Sequence, residues 1–244
     1  MKRLFFTVIL LIAALLLLLS VIPENPLYNV NWALLSVLLV GLSLLAFFRR
    51  FDHTEISARE IALIATMASL AAVARVPFAV IMSVQPTTFM VMITGYVFGA
   101  QTGFMVGAVA ALVSNFFLGQ GPWTPWQMFS WGLCGMAAGL LGRKQTEFKR
   151  IPFLLLCGIW GYLFGWIMNI WHWLAFVYPL TLKTFIATYM ASFAFDTLHA
   201  AGNIVFTLIL GKSFYLVLVR FRKKCFIVRP PTAGCEGEAV GRRQ

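Results

Sequence analysis

Long apolar runs separated by short polar segments make up most of the chain. Eight runs can be drawn, at about 4–21, 31–48, 57–74, 80–98, 103–118, 127–142, 152–178 and 184–211. Their lengths approach the roughly 17–25 residues that a helix needs to cross a bilayer. The run at 80–98 contains Gln85-Pro86, so it is either a broken helix or one that begins late. The pattern predicts an all-α, polytopic membrane protein.

The composition agrees with this prediction and excludes several functions. The 244 residues are 61% hydrophobic and 11% charged, with a mean hydropathy of +0.87, whereas soluble proteins are about 25% charged. The four cysteines form no CxxC pair, so neither a zinc site nor a disulfide scaffold is indicated. There is no Walker A sequence, and therefore no nucleotide-binding fold is predicted.

The distribution of Lys and Arg predicts the orientation in the membrane. If the N-terminus is inside, 17 of the 19 Lys and Arg residues fall in inside segments, and only Arg75 and Lys183 fall outside. This bias accounts for the net charge of +11 without a nucleic-acid partner. We therefore expect a multi-pass protein of a bacterial-type cell membrane with both termini cytoplasmic. Segments 75–86, 119–127 and 178–184 would then face outward.

The chain divides near residue 50. Residues 1–50 form an N-terminal transmembrane hairpin, whose first helix has a basic start but no A-x-A-like cleavage site after it. A polar linker at 51–55 leads to a six-helix membrane core at 56–212, which carries almost all small and polar intramembrane residues. Residues 213–244 are predicted to be a cytoplasmic basic tail.

Small residues form two stripes on the first core helix. Ala65 and Ser69 make one small-xxx-small pair, and Ala68 and Ala72 make another. Such pairs let a second helix approach closely, either within the bundle or from a separate membrane subunit. Glycines that recur every four residues indicate close packing in the next helices, at Gly95, Gly99, Gly103 and Gly107.

Asp196, His199 and Asn203 are the most informative polar cluster. Spacings of three and four place them on one helical stripe. A charged Asp within the membrane costs at least about 2.5–3.5 kcal/mol, so it should face a cavity or a partner. The stripe could tie helices together, bind a ligand, or supply an acid/base pair to an intramembrane enzyme. No second catalytic cluster is present, and the ligands are too few for a metal, so no enzyme, metal site or cofactor is predicted.

Aromatic and amide side chains gather near the segments predicted to face outward. Asn169 and His172 lie among four Trp residues in the run at 152–178. The loop at 119–127 carries two amides and two indoles, in Gln120, Trp123, Trp126 and Gln127. Such side chains either anchor the protein at the membrane interface or line a pocket for a neutral, flat, polar small molecule.

These features together resemble a known family. The alanine-rich first core helix, the run Gln85-Pro86-Thr87-Thr88…Gly95-Tyr96-Val97-Phe98-Gly99, and the Asp196…His199-Ala200…Asn203 helix are similar to the substrate-binding S component of energy-coupling factor (ECF) vitamin transporters. The resemblance covers about 56–211. The loop at 119–127 looks most like S components assigned to cobalamin or related corrinoids.

The resemblance implies a transport mechanism. An S component binds a vitamin from outside and docks on a transmembrane coupling subunit that carries two cytoplasmic ATPases, and ATP hydrolysis then reorients it. The positions that match the docking face are Ala65, Ala68, Ser69 and Ala72. Those that match the substrate contacts are Gln120, Trp123, Trp126, Gln127, Asn169, His172, Asp196, His199 and Asn203. The alternatives are an intramembrane enzyme using Asp196 and His199, or a structural membrane assembly protein.

Overall fold

The computed structural model describes residues 31–52, 57–143, 145 and 147–226, which contain seven α-helices. In chain order these are α1 (Trp32–Asp52), α2 (Ala58–Phe78), α3 (Thr87–Phe98), α4 (Ala100–Leu118), α5 (Thr124–Gly142), α6 (Arg150–Phe176) and α7 (Leu182–Phe226). Five of them, α1, α2, α4, α6 and α7, are long and apolar enough to cross a membrane. The predicted all-α, polytopic membrane fold is confirmed. The predicted first helix at 4–21 lies outside the described residues, as do residues 227–244.

Helix α3 begins late. It starts at Thr87, directly after Pro86, and has only 12 residues. Residues 79–86 connect α2 to α3 without helical structure, and Ser83 in this loop has a φ of 59°. Because Pro fixes φ and has no N–H, it begins a helix more readily than it continues one. Of the two alternatives for the run at 80–98, the structure shows the late start.

Helix α7 is longer than predicted, because it continues past residue 211 to Phe226. The extension packs against α3: the Phe214 ring lies 5.6 Å from that of Phe89. Farther along, Arg222 Nη1 donates a 2.7 Å hydrogen bond to the carbonyl oxygen of Val97. Residues 213–226 were predicted to belong to a basic tail. The charged side chains within 213–226 end the apolar run in the sequence. The apolar residues between them nevertheless bury surface against α3.

Helix α3 lies at the centre of the bundle. Every residue from Thr87 to Val97 is buried, and α3 packs against α2, α4, α5 and α7. The other extensive contacts join α4 to α5, α6 to α7, and α2 to α4. A helix that is buried on all sides must be apolar all round, which explains why the run at 87–98 shows no amphipathic pattern.

Glycines let α3, α4 and α5 touch at the backbone. A Cβ atom on Gly135 of α5 would overlap the carbonyl oxygen of Gly103 on α4, and one on Gly95 of α3 would overlap the carbonyl oxygen of Gly135. The predicted role of these glycines in close packing is confirmed. Gly99 has a second role, since its φ of 104° allows α3 to end and α4 to begin within one residue.

Helix α1 packs on the far side of the core from α2. Its Phe47 ring stacks on Phe104 of α4 at 3.6 Å, and its main helix contacts are with α5 and α6. On α2, Ala68 and Ala72 are fully buried in the bundle, while Ala65 and Ser69 are exposed. The two predicted small-residue stripes therefore differ, because only the Ala65/Ser69 stripe is open to another helix.

We expect Gly135→Ala to destabilise the protein, because the new methyl group meets rigid backbone on α4. The loss should be about 1–3 kcal/mol, as is typical of overpacking. The matched control is Gly41→Ala, since a Cβ atom there has nothing within 4 Å. The measurement is the unfolding temperature of both variants in detergent. Equal unfolding temperatures would show that α4 and α5 do not touch as closely as described.

Candidate functional site

The loops that follow α2, α4 and α6 lie at the same end of the bundle, because consecutive helices run in opposite directions, and we call this the three-loop end. They comprise residues 79–86, 119–123 and 177–181. Most of the polar side chains that are buried between helices lie in the half of the bundle nearest to this end.

A chain of hydrogen bonds joins α6 to α7 below the third loop. Asn169 Nδ2 donates to Ser192 Oγ at 2.6 Å, and Ser192 Oγ donates to Asp196 Oδ2 at 3.0 Å. Asp196 is buried, and its carboxylate occupies space that exists only because residue 165 is Gly: a Cβ atom there would overlap Asp196 Oδ1. The predicted Asp196 therefore faces α6, and Ser192 is its donor.

A cavity of about 500 Å³ opens beside this chain, between α6 and α7. Its polar lining consists of Asn169, His172, Thr184, Thr188 and Ser192, and its apolar lining of Val177, Ala187, Ala191 and Phe195. A cavity of this size and mixture suits a small organic molecule, since ligand pockets usually measure about 300–1,000 Å³. No lysine, arginine or carboxylate is among the residues lining it, which favours a neutral ligand.

His199 faces a different part of the bundle. Its Nε2 lies 2.8 Å from Thr88 Oγ1, and Trp131 Nε1 donates to the same hydroxyl at 3.0 Å. Because Thr88 Oγ1 accepts from Trp131, its own proton is available for His199. The His199 ring also packs edge-on against Phe164 at 5.1 Å. Asp196 and His199 thus hydrogen-bond to different partners and do not form an acid/base pair with each other.

Asn203 lies deeper, between α6 and α7. Its Nδ2 donates to the carbonyl oxygen of Cys157 at 3.2 Å, while its Oδ1 is buried and has no partner among the described residues. The structure therefore separates the predicted stripe into three environments: Asp196 near the cavity, His199 against α3 and α5, and Asn203 within the α6–α7 contact.

A buried arginine organises the side of the bundle formed by α2, α4 and α5. Arg75 is 8% exposed. It donates through Nε to Gln85 Oε1 at 2.9 Å, and through Nη1 to Ser114 Oγ at 2.7 Å and Asn115 Oδ1 at 2.8 Å. Its guanidinium carbon also lies 4.8 Å from the centre of the Trp131 ring. We call these five residues the Arg75 centre.

The loop at 119–127 joins the Arg75 centre through Asn115. Asn115 Nδ2 donates to Gln127 Oε1 at 2.7 Å and to Thr124 Oγ1 at 3.0 Å. Gln120 is exposed, but its amide is held by the carbonyl oxygen of Leu112 and by the Thr124 hydroxyl. Trp123 is half-buried, with its ring over Gly121, while Trp126 is buried and its Nε1 has no hydrogen-bond partner in the described part of the chain.

Comparison with known proteins identifies the family. The model of the ECF-type riboflavin transporter S component family matches residues 55–220, which comprise α2 to α6 and most of α7. The chain belongs to this family. No curated protein and no solved structure matches the chain. The predicted ECF S component is thus confirmed, and the chain is a substrate-specific vitamin transporter subunit.

This S component brings together only some of the predicted substrate contacts. Asn169 and His172 line the cavity, and Asp196 reaches it through Ser192. Gln127 joins the Arg75 centre, whereas His199 and Asn203 lie deeper in the bundle. Gln120 and Trp123 belong to the second loop, and Trp126 lies at the start of α5.

Several residues of the site were not predicted. The chief ones are Thr88, Ser192, and three members of the Arg75 centre, namely Ser114, Asn115 and Trp131. For Ser192 a signal existed, because Thr184, Thr188, Ser192 and Asp196 recur every four residues and so share one face of α7. Arg75 also had a signal, since it directly follows the apolar run at 57–74 and is one of only two cations in the segments predicted to face outward. Thr88 and Ser114 had none, since small hydroxyl residues are common in membrane helices.

We expect Ser192→Ala to lower the stability of the protein, because the Asp196 carboxylate loses its hydrogen-bond donor in a buried site. The loss should be about 1–3 kcal/mol. Adding Asp196→Asn should recover part of it, since a neutral amide costs less to bury. The measurement is thermal unfolding without ligand. Thr66→Ala is the matched control, because the Thr66 hydroxyl is exposed and bonds only within α2.

Equal unfolding temperatures for Ser192→Ala and Thr66→Ala would show that the Ser192–Asp196 hydrogen bond contributes nothing to stability.

Proposed function

We propose that this S component binds a flavin-like vitamin at the three-loop end, from outside the cell, for ATP-driven uptake by partner subunits. The cavity between α6 and α7 carries this proposal. Its lining offers amide, imidazole and hydroxyl groups beside apolar side chains, which matches a neutral, flat molecule with a polar substituent. The positive-inside bias supports an outward three-loop end and cytoplasmic termini.

The family description names riboflavin, and the cavity volume supports a vitamin of that size. A second candidate is cobalamin or a related corrinoid, which the loop at 119–127 favours through its half-buried Trp123. A corrinoid macrocycle with its nucleotide substituent is several times larger than a flavin. It would need a wider opening between the loops, and Gln120 and Gln127 would have to leave their present hydrogen bonds.

The free face of α2 supports docking to a transmembrane coupling subunit, which would carry two cytoplasmic ATPases. Ala65 and Ser69 are exposed on this face, and α1 packs elsewhere. Small residues allow close backbone approach within the membrane, where helix association depends on packing. Ala68 and Ala72 would support this face from inside, because both are buried beneath it.

The deciding experiment is on the protein purified in detergent from cells grown in rich medium. Its absorbance spectrum and mass spectrometry of bound small molecules would identify a co-purified vitamin. Titration of the emptied protein with riboflavin and with cobalamin would then rank the two. Binding of riboflavin alone supports the flavin proposal, and binding of cobalamin alone supports the second candidate. Failure to bind either would contradict both.

We expect His172→Ala to weaken riboflavin binding at least about tenfold, through loss of a polar contact and of ring packing in the cavity. His172 is exposed and its ring packs on Phe176, a neighbour on the same helix, so the fold should be unaffected. The measurement is quenching of riboflavin fluorescence. Ile186→Ala is the control, since Ile186 is exposed on α7 and is not part of the cavity lining. Unchanged affinity in His172→Ala would place the vitamin elsewhere.

We expect Ala65→Leu to abolish uptake while leaving vitamin binding intact, because the larger side chain keeps the coupling subunit away from α2. The measurements are riboflavin affinity of the isolated protein and co-purification with the coupling subunit and ATPases. Val73→Leu is the matched control, as it enlarges an exposed side chain that is already bulky on the same helix. Normal assembly of Ala65→Leu would exclude this face as the docking surface.

A further inference from the structure

Arg75 is a buried cation without a compensating charge. Its hydrogen-bond and stacking partners among the described residues are an amide, a hydroxyl, a second amide and an indole ring, all of them neutral. No carboxylate pairs with it among the described residues. A buried charge is costly unless it is paired, and an ionisable residue within the membrane usually marks a functional site. The neutral acceptors around the guanidinium lower this cost, but they do not accept from all of its N–H groups.

The geometry of the guanidinium shows which part of it is unused. Nη1 is fully engaged by Ser114 and Asn115, whereas Nη2 makes no hydrogen bond to any described residue. Nε and Nη2 form one edge of the planar group and point two N–H bonds in parallel. On this edge Nε donates to Gln85 Oε1, and the neighbouring N–H groups of Nη2 have no acceptor. The edge is therefore half-occupied.

A planar partner with two adjacent acceptors would satisfy this edge. Arginine binds such a pair on guanine, where a ring nitrogen stands next to a carbonyl oxygen. The isoalloxazine ring of a flavin presents the same arrangement as O4 with N5, and a more closely spaced acceptor pair as O2 with N1. Both pairs are neutral, in keeping with a centre in which arginine is surrounded by neutral groups and stacked on an indole.

We propose that Arg75 is a further substrate-binding residue, whose Nε/Nη2 edge binds a carbonyl–ring nitrogen pair of the flat heterocycle. This inference rests on the proposed flavin-binding function and extends the ligand's contacts from the α6–α7 cavity to the Arg75 centre. The two regions are connected by Trp131, which stacks on Arg75, and by Thr88, which bonds both Trp131 and His199 of α7. In the structure without ligand, the Gln85 amide occupies half of the place that the substrate would take.

The position of Gln85 in the chain would allow it to move away from Arg75. It belongs to the loop at 79–86, which is not helical and carries three strongly exposed apolar residues, Val80, Ile81 and Met82. Ser83 in the same loop has a φ of 59°, a backbone conformation that L-residues adopt at a cost. Movement of this loop would uncover the Arg75 edge without disturbing Ser114, Asn115 or Trp131, which hold the guanidinium from α4 and α5.

The test compares riboflavin with 1-deazariboflavin and 5-deazariboflavin, in which a C–H group replaces N1 or N5 while the flat shape is kept. Affinities are measured by fluorescence quenching for the wild-type chain, Arg75→Gln and Arg75→Lys. Arg75→Lys keeps the charge but lacks the two parallel donors. Lys183→Gln is the matched control, because it removes the other cation predicted near the outer face, which is exposed and lies outside the cavity.

We expect the wild-type chain and Lys183→Gln to bind one deaza analogue at least about tenfold more weakly than riboflavin. In both Arg75 variants the difference between riboflavin and this analogue should fall to within about twofold. Riboflavin itself should bind to these variants at least about tenfold more weakly than to the wild-type chain. A purely structural role for Arg75 would weaken all three ligands equally and leave the difference unchanged.

Equal binding of the three ligands by the wild-type chain would overturn the inference, as would an unchanged difference in Arg75→Lys. Both outcomes leave the proposed function standing, since riboflavin still binds. If the wild-type chain binds none of the three, the proposed function fails instead. Should Arg75→Gln not fold, Arg75→Lys and the wild-type comparison of the two analogues still decide the question.

Discussion

Hydrocarbon offers no hydrogen-bond partner, and this constraint governs every polar side chain of the bundle. A polar group between these helices has to find its partner in the protein, so the partners define how the helices meet. Arg75 joins α2 to α4 and α5, and Thr88 joins α3 to α5 and α7. Asn169 and Asp196 both meet Ser192 at the α6–α7 contact. These helix interfaces near the three-loop end thus each contain at least one specific polar contact in otherwise apolar packing.

Close packing at glycines is found on both sides of the bundle. Helices α3, α4 and α5 touch at Gly95, Gly103 and Gly135, where backbone meets backbone and no side chain can adjust. On the other side, a Cβ atom on Gly161 of α6 would overlap the backbone of Ala200 on α7. The half of α7 nearest the three-loop end has many exposed residues, and its contact with α6 includes side-chain hydrogen bonds such as that of Asn169 with Ser192.

The sequence predicted the helices better than their ends. Apolar length and the positions of Lys and Arg suffice to count spans, since burying a charge in lipid is costly wherever it occurs. They do not fix an end where a helix leaves the lipid but remains packed on protein. Helix α7 continues past residue 211 for this reason, through contacts such as Phe214 with Phe89. The start of α3 was ambiguous because Pro86 permits both a kink and a new helix, and only the surrounding helices select between them.

The site was harder to predict, because spacing places residues on a face but does not choose their partners. Asp196 and His199 share a face of α7, yet Asp196 accepts from Ser192 on its own helix, and Asn169 of α6 donates to that serine. The partner of His199 is instead Thr88 on α3. A difference of three residues turns a helix by about 300°, so neighbours on one stripe can face two different helices when α7 lies in the groove between them. Arg75 differs from these residues, because its presence in the site was easier to foresee than its role. Its charge was visible in the sequence, but the functional interpretation depends on two features of the folded chain. No carboxylate pairs with Arg75 among the described residues, and one edge of its guanidinium is only half-occupied.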